Sequence, residues 1–251
     1  MCVMCRNNHN SSDNVADYHH SRRRILIAAS LLSIAGLMGT SSTVKAQNTP
    51  PKPDNVLTPD EAIKRLLAGN ERYVKATTLQ VNVSETRGVL SKGQNPYACI
   101  LSCADSRISP ELCFDEERGD LFVARVAGNF VNTDILASFE YAIAVLNAPL
   151  ILVLGHTSCG AIDAAIKAYT QNTAFPGHIQ ALTTSLAPAV KIASQQVKGN
   201  ELLAATTVEN VRLNVTKLTE SNPIISERIK QGKLKVVGGI YDLTTGVVKL
   251  V

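Results

Sequence analysis

The chain has 251 residues, 45% of them apolar and 18% charged, which suits one or two globular domains with an ordinary buried core and excludes a disordered or fibrous protein. Its net charge of +4 is unevenly placed: Arg6, Arg22, Arg23, Arg24 and Lys45 face only Asp13 and Asp17 in residues 1–46, and the rest of the chain carries 20 basic and 19 acidic residues. A body so near neutrality has no electrostatic footprint for nucleic acid or for an anionic lipid surface.

At the start, Ser21-Arg22-Arg23-Arg24 precedes an apolar run from Ile25 to Met38, and small and polar residues follow as far as Val44-Lys45-Ala46. A charged start, an apolar core of about 14 residues and small residues at the cleavage-defining positions are the parts of a signal peptide; a stable membrane span needs about 20. The paired arginines resemble a twin-arginine export signal, with Ile25 where that signal usually has Phe. Residues 1–46 are therefore expected to be a signal peptide cleaved after Ala46, with transient use of the twin-arginine export machinery and a periplasmic destination. Cys2 and Cys5 would leave with it. Cys99, Cys103, Cys113 and Cys159 would then face an oxidising compartment, where thiolates survive if a metal protects them.

Residues 47–57, with Pro50, Pro51 and Pro53 among polar residues, read as an extended linker. Folding is expected over 58–251 as one domain. Thr58-Pro59-Asp60-Glu61 is a helix start, with Thr58 as N-cap and Glu61 placed to close a capping box. Ile63, Leu66, Leu67 and Tyr73 continue it at helical spacing, with Gly69-Asn70 as an interruption.

Continuous apolar runs predict strands over 97–102, 121–124, 150–154 and 234–240, each covered on both faces as in a parallel sheet. Helical patterns lie between and around them, over 135–146, 161–169, 179–193, 202–218 and 224–230. Asp242-Leu243-Thr244-Thr245-Gly246 reads as a turn with a left-handed Gly that leads into a last strand, 247–251, antiparallel to its neighbour. The alternation predicts an α/β fold: a mainly parallel open sheet of about four strands plus a C-terminal antiparallel strand, flanked by helices. Ligands bind such sheets outside the carboxyl ends of the strands.

Two clusters stand where that rule puts a site. Cys103-Ala104-Asp105-Ser106-Arg107 ends the first strand, and His156-Thr157-Ser158-Cys159-Gly160 ends the third. Cys103, His156 and Cys159 offer two thiolates and an imidazole, a ligand set for a catalytic zinc ion with a fourth position that can open. Alternate residues of an extended segment share a side, so Cys103, Asp105 and Arg107 lean together. Asp105 then has two partners available. Paired with Arg107 it leaves the metal open; swung onto the zinc it completes the tetrahedron and closes the site. Rising pH should favour the open form, because hydroxide competes better with carboxylate for the metal.

The other chemistry-bearing residues read more plainly. Cys99 and Cys113 are expected as small core residues, with a disulfide between them as the other reading. His178, after Pro176-Gly177, reads as a surface residue at a helix start. The His-x-Glu of a nucleobase deaminase is absent, as is the Gly-x-Gly-x-x-Gly loop of a nucleotide-dependent zinc dehydrogenase.

Cys103-x-Asp105-x-Arg107 with His156-x-x-Cys159-Gly160 resembles the zinc signature of the β-class carbonic anhydrases. Further pieces agree: Gly69-Asn70-x-Arg72-Tyr73, Gly93-Gln94-x-Pro96, Gly119 to Asn129, Glu140-Tyr141-Ala142 and Tyr241-Asp242-Leu243-x-Thr245-Gly246, together spanning essentially 58–251. The resemblance implies reversible hydration of carbon dioxide to bicarbonate. Asp105 would orient the zinc-bound hydroxide and Arg107 would hold Asp105 off the metal. Gln94, Phe122 and Tyr141 would surround the substrate, partly from a neighbouring subunit, in a homodimer or higher homo-oligomer. Hydrolysis of carbonyl sulfide or carbon disulfide on the same zinc site, and noncatalytic zinc or bicarbonate binding, are the other readings. Glu116-Glu117-Arg118 departs from the small, Gly-containing segment usual there, and the chain has no Trp for the bicarbonate pocket that locks the Asp onto zinc in some members.

Overall fold

The computed structural model describes residues 53–79 and 83–251. The expected signal peptide and the first part of the linker lie outside them. Helix α1 (Pro59–Val74) opens with the reciprocal cap its residues announce: Glu61 N donates to Thr58 Oγ1 at 3.3 Å, and Thr58 N donates to Glu61 Oε2 at 2.8 Å. The Gly69-Asn70 pair does not break it. Gly69 lets the helix approach the Phe114 carbonyl. Asn70 is buried; its Nδ2 donates to Cys113 O and Gly246 O, and its Oδ1 accepts from Val248 N, each at 2.9 Å. What reads along the chain as an interruption is where the helix is tied to two distant loops.

Helix α2 (Val83–Leu90) follows, then β1 (Ala98–Ser102), the short α3 (Pro110–Cys113), β2 (Leu121–Arg125) and α4 (Thr133–Ala144). After these come β3 (Leu150–His156), α5 (Gly160–Gln171), α6 (Ile179–Gln196), α7 (Leu202–Thr219), α8 (Ile224–Lys230), β4 (Lys235–Tyr241) and β5 (Val248–Leu250). Each expected strand and helix is present within a few residues of its predicted bounds; α2 and α3, too short for a helical period to declare itself, were not anticipated. The sheet order is β2-β1-β3-β4-β5, with the first four strands parallel and β5 antiparallel to β4. At the turn before β5, Asp242 Oδ1 accepts from Thr244 N and Thr245 N, and Gly246 takes φ +76°.

Alternation along the central strands feeds two cores. Cys99 and Leu101 of β1, with Ile151 and Val153 of β3, pack against Phe139 and Ile143 of α4, Val211 of α7 and Ile225 of α8. Ala98 and Ile100, with Leu150, Leu152 and Leu154, pack on the other side against Ala62 and Leu66 of α1. Every residue of β1 and β3 is buried, which explains their unbroken apolar sequences. The edge strand β2 departs from the expectation of two covered faces: four of its residues are half-buried and Arg125 is exposed.

The end of the expected linker is also corrected. Pro53–Asn55 forms a 3-10 turn, and buried Asn55 donates from Nδ2 to Asn95 O (2.7 Å) and Asp120 Oδ1 (2.9 Å) while Arg65 Nη1 donates to its Oδ1 at 2.5 Å. Three bonds from one buried amide make this segment part of the domain. The atypical Glu116 is accommodated by the same Arg65, which grips its carboxylate through Nε and Nη2 at 3.2 and 2.6 Å.

A methyl group on Gly69 would lie 1.8 Å from the Phe114 carbonyl oxygen, a backbone atom that cannot rotate aside. Gly69→Ala is expected to lower stability by about 3 kcal/mol, the upper end of overpacking costs, read as a fall in Tm. Gly88→Ala, on α2 with nothing within 4 Å, should leave Tm unchanged or slightly raised.

Candidate metal centre

The chain runs from β1 outward to β2 on one side, while β3 lies on the other side of β1. Their carboxyl ends therefore part from each other at a topological switch point. Ser102 pairs with Leu154, so the residues that follow leave the sheet side by side. Cys103 is the first residue past β1, His156 the last of β3, and Cys159 the N-cap of α5. The tight turn between them needs a left-handed residue, Ser158 at φ +54°. Thr157 anchors that turn, donating its N–H to Tyr241 O and accepting at Oγ1 from Leu243 N, both at 3.0 Å.

The ligand atoms of Cys103, His156 and Cys159 lie within 4.8 Å of one another, and all three residues are buried. The two sulfurs are 4.0 Å apart. Two thiolates on a tetrahedral zinc, with bonds of about 2.3 Å, stand roughly 3.8 Å apart. His156 Nδ1 donates to Thr157 O at 2.9 Å, which leaves the lone pair on Nε2. That Nε2 is buried without a hydrogen-bond partner. An orphaned acceptor aimed among two thiols fits a zinc ion, because a buried polar atom is otherwise almost always met.

The charges agree. Cys103 ionises first: hydrogen bonds from the Cys159 thiol and the Gly128 N–H hold its pKa down to about 4, against the opposing effect of burial. Cys159 is pushed up by its bond to the Cys103 sulfur, by burial and by that sulfur's negative charge. A dication removes the conflict and lets both sulfurs be thiolates.

Asp105 stands at the rim, gripped by Arg107 through Nε to Oδ1 (2.9 Å), Nη2 to Oδ2 (2.7 Å) and the backbone N–H to Oδ1 (3.0 Å). These bonds, the side-chain pair foremost, hold its carboxyl well below the usual carboxylate range. Its Oδ2 is 3.9 Å from His156 Nε2, so it faces the donor set without joining it. Arg107 Nη2 also reaches Ser158 O at 3.2 Å and links the two loops.

Arg125 lies inside the Gly119 to Asn129 stretch, where the sequence does not mark it apart. It leaves the end of β2 and donates to Cys103 O (2.9 Å), Asp105 O (2.7 Å) and Ile108 O (3.0 Å), which pins the backbone of the loop. Nothing in its spacing says so; the parallel register that sets Arg125 beside Ser102 does.

The five residues of the two clusters thus come together in one chain. Phe122 and Tyr141 meet each other, with ring centroids 6.5 Å apart, and Tyr141 is 49% exposed. Gln94 is exposed ahead of β1, whereas Cys103 follows that strand's far end; five residues of strand, about 16 Å, lie between. Cys99 and Cys113 are buried and free, and burial pushes both thiols up, Cys113 to about 12. His178 is exposed at the start of α6.

A carbonic anhydrase family model matches residues 98–248. The chain is 40% identical over 189 residues to carbonic anhydrase 2 of Mycobacterium tuberculosis, covering 75% of this chain and 90% of the relative. Its fold is similar to the β-carbonic anhydrase CcaA, with a TM-score of 0.60 and 28% identity over 75% of this chain and 94% of that one. One of two tetrameric β-carbonic anhydrases from the filamentous ascomycete Sordaria macrospora is similar in fold too, with a TM-score of 0.60 at 24% identity over 76% and 97% of the two chains.

Cys159→Ser, which replaces a thiolate by a hydroxyl in a buried ligand set, is expected to weaken zinc binding by more than about a hundredfold. Chelator competition on the purified protein measures it, with one zinc per chain expected for the wild type.

Proposed function

We infer the reaction from the premise that this chain belongs to the β-carbonic anhydrase family: reversible hydration of carbon dioxide to bicarbonate and a proton. The observation that carries the reading is the placing of Asp105, ionised and gripped by Arg107, 3.9 Å from the orphaned Nε2 of His156. Cys103, His156 and Cys159 would hold the zinc ion, which supplies the Lewis acidity that makes water a nucleophile near neutral pH.

The residues of the chain divide the remaining work. Asp105, kept ionised by its bonds from Arg107, can only accept hydrogen bonds at neutral pH. It therefore takes the O–H of the attacking water and turns the oxygen lone pair toward the substrate carbon. Arg107 would keep that carboxylate from joining Cys103, His156 and Cys159 as a further ligand. Carbon dioxide is uncharged and a weak acceptor, so its pocket needs apolar walls and few donors; Phe122 and Tyr141 supply walls and Gln94 a donor. Because Gln94 stands at the other end of β1 from Cys103, a second copy of the chain completes the pocket. A homodimer or larger homo-oligomer follows, in keeping with the tetrameric Sordaria relative. The reading extends to export as a periplasmic enzyme, on the strength of the arginine-led apolar leader.

Stopped-flow hydration of carbon dioxide by zinc-loaded residues 47–251, with carbonyl sulfide as competing substrate, tests the reaction. Hydration well above buffer is expected, and none at one zinc per chain would overturn it. Asp105→Asn is expected to keep its zinc and lose about a hundredfold or more in kcat/KM, because an amide no longer serves as an acceptor-only group. Undiminished activity would remove Asp105 from the mechanism. N-terminal sequencing of the exported protein should begin at Gln47; a mature chain retaining residues 25–40 would refute cleavage.

A further inference from the structure

Two amide side chains sit one turn apart on the buried side of α7, beside Val211 and Leu218. Asn210 is only 2% exposed and Asn214 is buried as well. An amide settles among apolar neighbours when its hydrogen bonds are met, and here the two amides bond each other and one loop. Asn210 Nδ2 donates to Gly128 O at 2.8 Å. Asn214 Nδ2 donates to Asn210 O and Oδ1, at 2.7 and 3.1 Å, while its own Oδ1 accepts from Val131 N at 2.7 Å. Residues 128–131 are thus held at both ends by one helix.

The other side of Gly128 faces the metal centre. Its N–H donates to Cys103 Sγ at 3.3 Å. The geometry favours glycine: φ is +83°, where an L side chain is strained, and a Cβ would also press 2.7 Å from Leu186 Cδ1. A continuous line of hydrogen bonds therefore runs from Asn214 through Asn210 and Gly128 to the Cys103 sulfur.

We propose that Asn210 is a positioning residue for the metal centre: by holding the Gly128 carbonyl it keeps the Gly128 N–H aimed at Cys103 Sγ, and so fixes the direction and electron density of that ligand. The inference rests on the zinc-site reading above. Apolar packing alone could hold a loop in place, but it does not give a peptide N–H a direction. A hydrogen bond to a thiolate withdraws charge from the sulfur and stabilises the anion that a metal binds. Asn210 touches neither substrate nor metal and acts only through Gly128.

The test uses the full chain as wild type, Asn210→Leu and Thr206→Val. Leucine is close to asparagine in size and has no donor. Thr206 is buried on the same helix one turn earlier, and its hydroxyl has no partner, so Thr206→Val controls for any polar-to-apolar change in α7. Zinc affinity is read by chelator competition, and the cobalt(II)-loaded protein is read by its sulfur-to-metal charge-transfer band. Asn210→Leu is expected to bind zinc roughly 10- to 100-fold more weakly, the range for a partner that orients a ligand. Its cobalt band should move to longer wavelength, because a sulfur that has lost a hydrogen bond gives up charge more easily. Thr206→Val should match the wild type in both. A folded Asn210→Leu with zinc affinity within twofold of wild type, or with an unmoved cobalt band, would overturn the proposal and leave Asn210 as a loop support. Should Asn210→Leu not fold, Asn210→Ser, which also withdraws the reaching donor, is read in the same way. A wild type that binds zinc through these ligands but does not hydrate carbon dioxide would refute the proposed reaction and leave this inference standing.

Discussion

The parallel pairing of β1 with β3 is the constraint on which the rest of the molecule depends. Both strands are wholly buried, so each must present apolar side chains alternately to two cores. That demand sets the register: a slip of one residue would send Ile100 toward the α4 and α7 side and Leu101 toward α1. With Ser102 beside Leu154, the chain leaves the sheet at Cys103 and His156 in adjacent positions. The candidate metal ligands are brought together by the hydrophobic requirement of strands that carry no chemistry themselves.

Around that junction, backbone polar groups at the strand ends have no ladder to join and must find partners. Arginine supplies them. Arg125 takes three carbonyls of the loop after β1, and Arg107 takes the Asp105 carboxylate and the Ser158 carbonyl across the gap. The Arg107 guanidinium also sets positive charge beside a pair of sulfurs and a carboxylate. The loops are therefore shaped by donors outside the candidate ligand set, and Cys103, His156 and Cys159 inherit their positions from them.

A second polar cluster lies at the amino end of the domain. Arg65 spans Asn55 and Glu116, stands 3.3 Å from Asp120 at Nη2, and lies over the Tyr97 ring at 4.3 Å. The Glu116 and Asp120 side chains are nearly inaccessible. Such a pair contributes register more than net stability, since the cost of removing its charges from water offsets most of the attraction. It accounts for a loop of unusual composition and for a prolyl segment drawn in against the domain instead of extending from it. Both were hidden because the partners are separated by 51 and 65 residues in the chain.

The sequence by itself determined the strands, the longer helices and the candidate metal ligands. Periodicity reports burial locally, so the strands and the longer helices stood out. Cys103, His156 and Cys159 were legible because few residue types bind zinc and their spacing leaves little choice. The tertiary structure alone decided that Arg107 grips Asp105 through three hydrogen bonds, that Arg125 and Gly128 shape the Cys103 loop, and that Gly69 and Asn70 join elements where they seemed to interrupt a helix. These outcomes depend on contacts between residues far apart in sequence, and a hydrogen bond between Asn210 and Gly128, 82 positions apart, leaves no period in either segment. It also set Gln94 ahead of β1 and Cys103 past that strand's other end, a separation that spacing along the chain does not report.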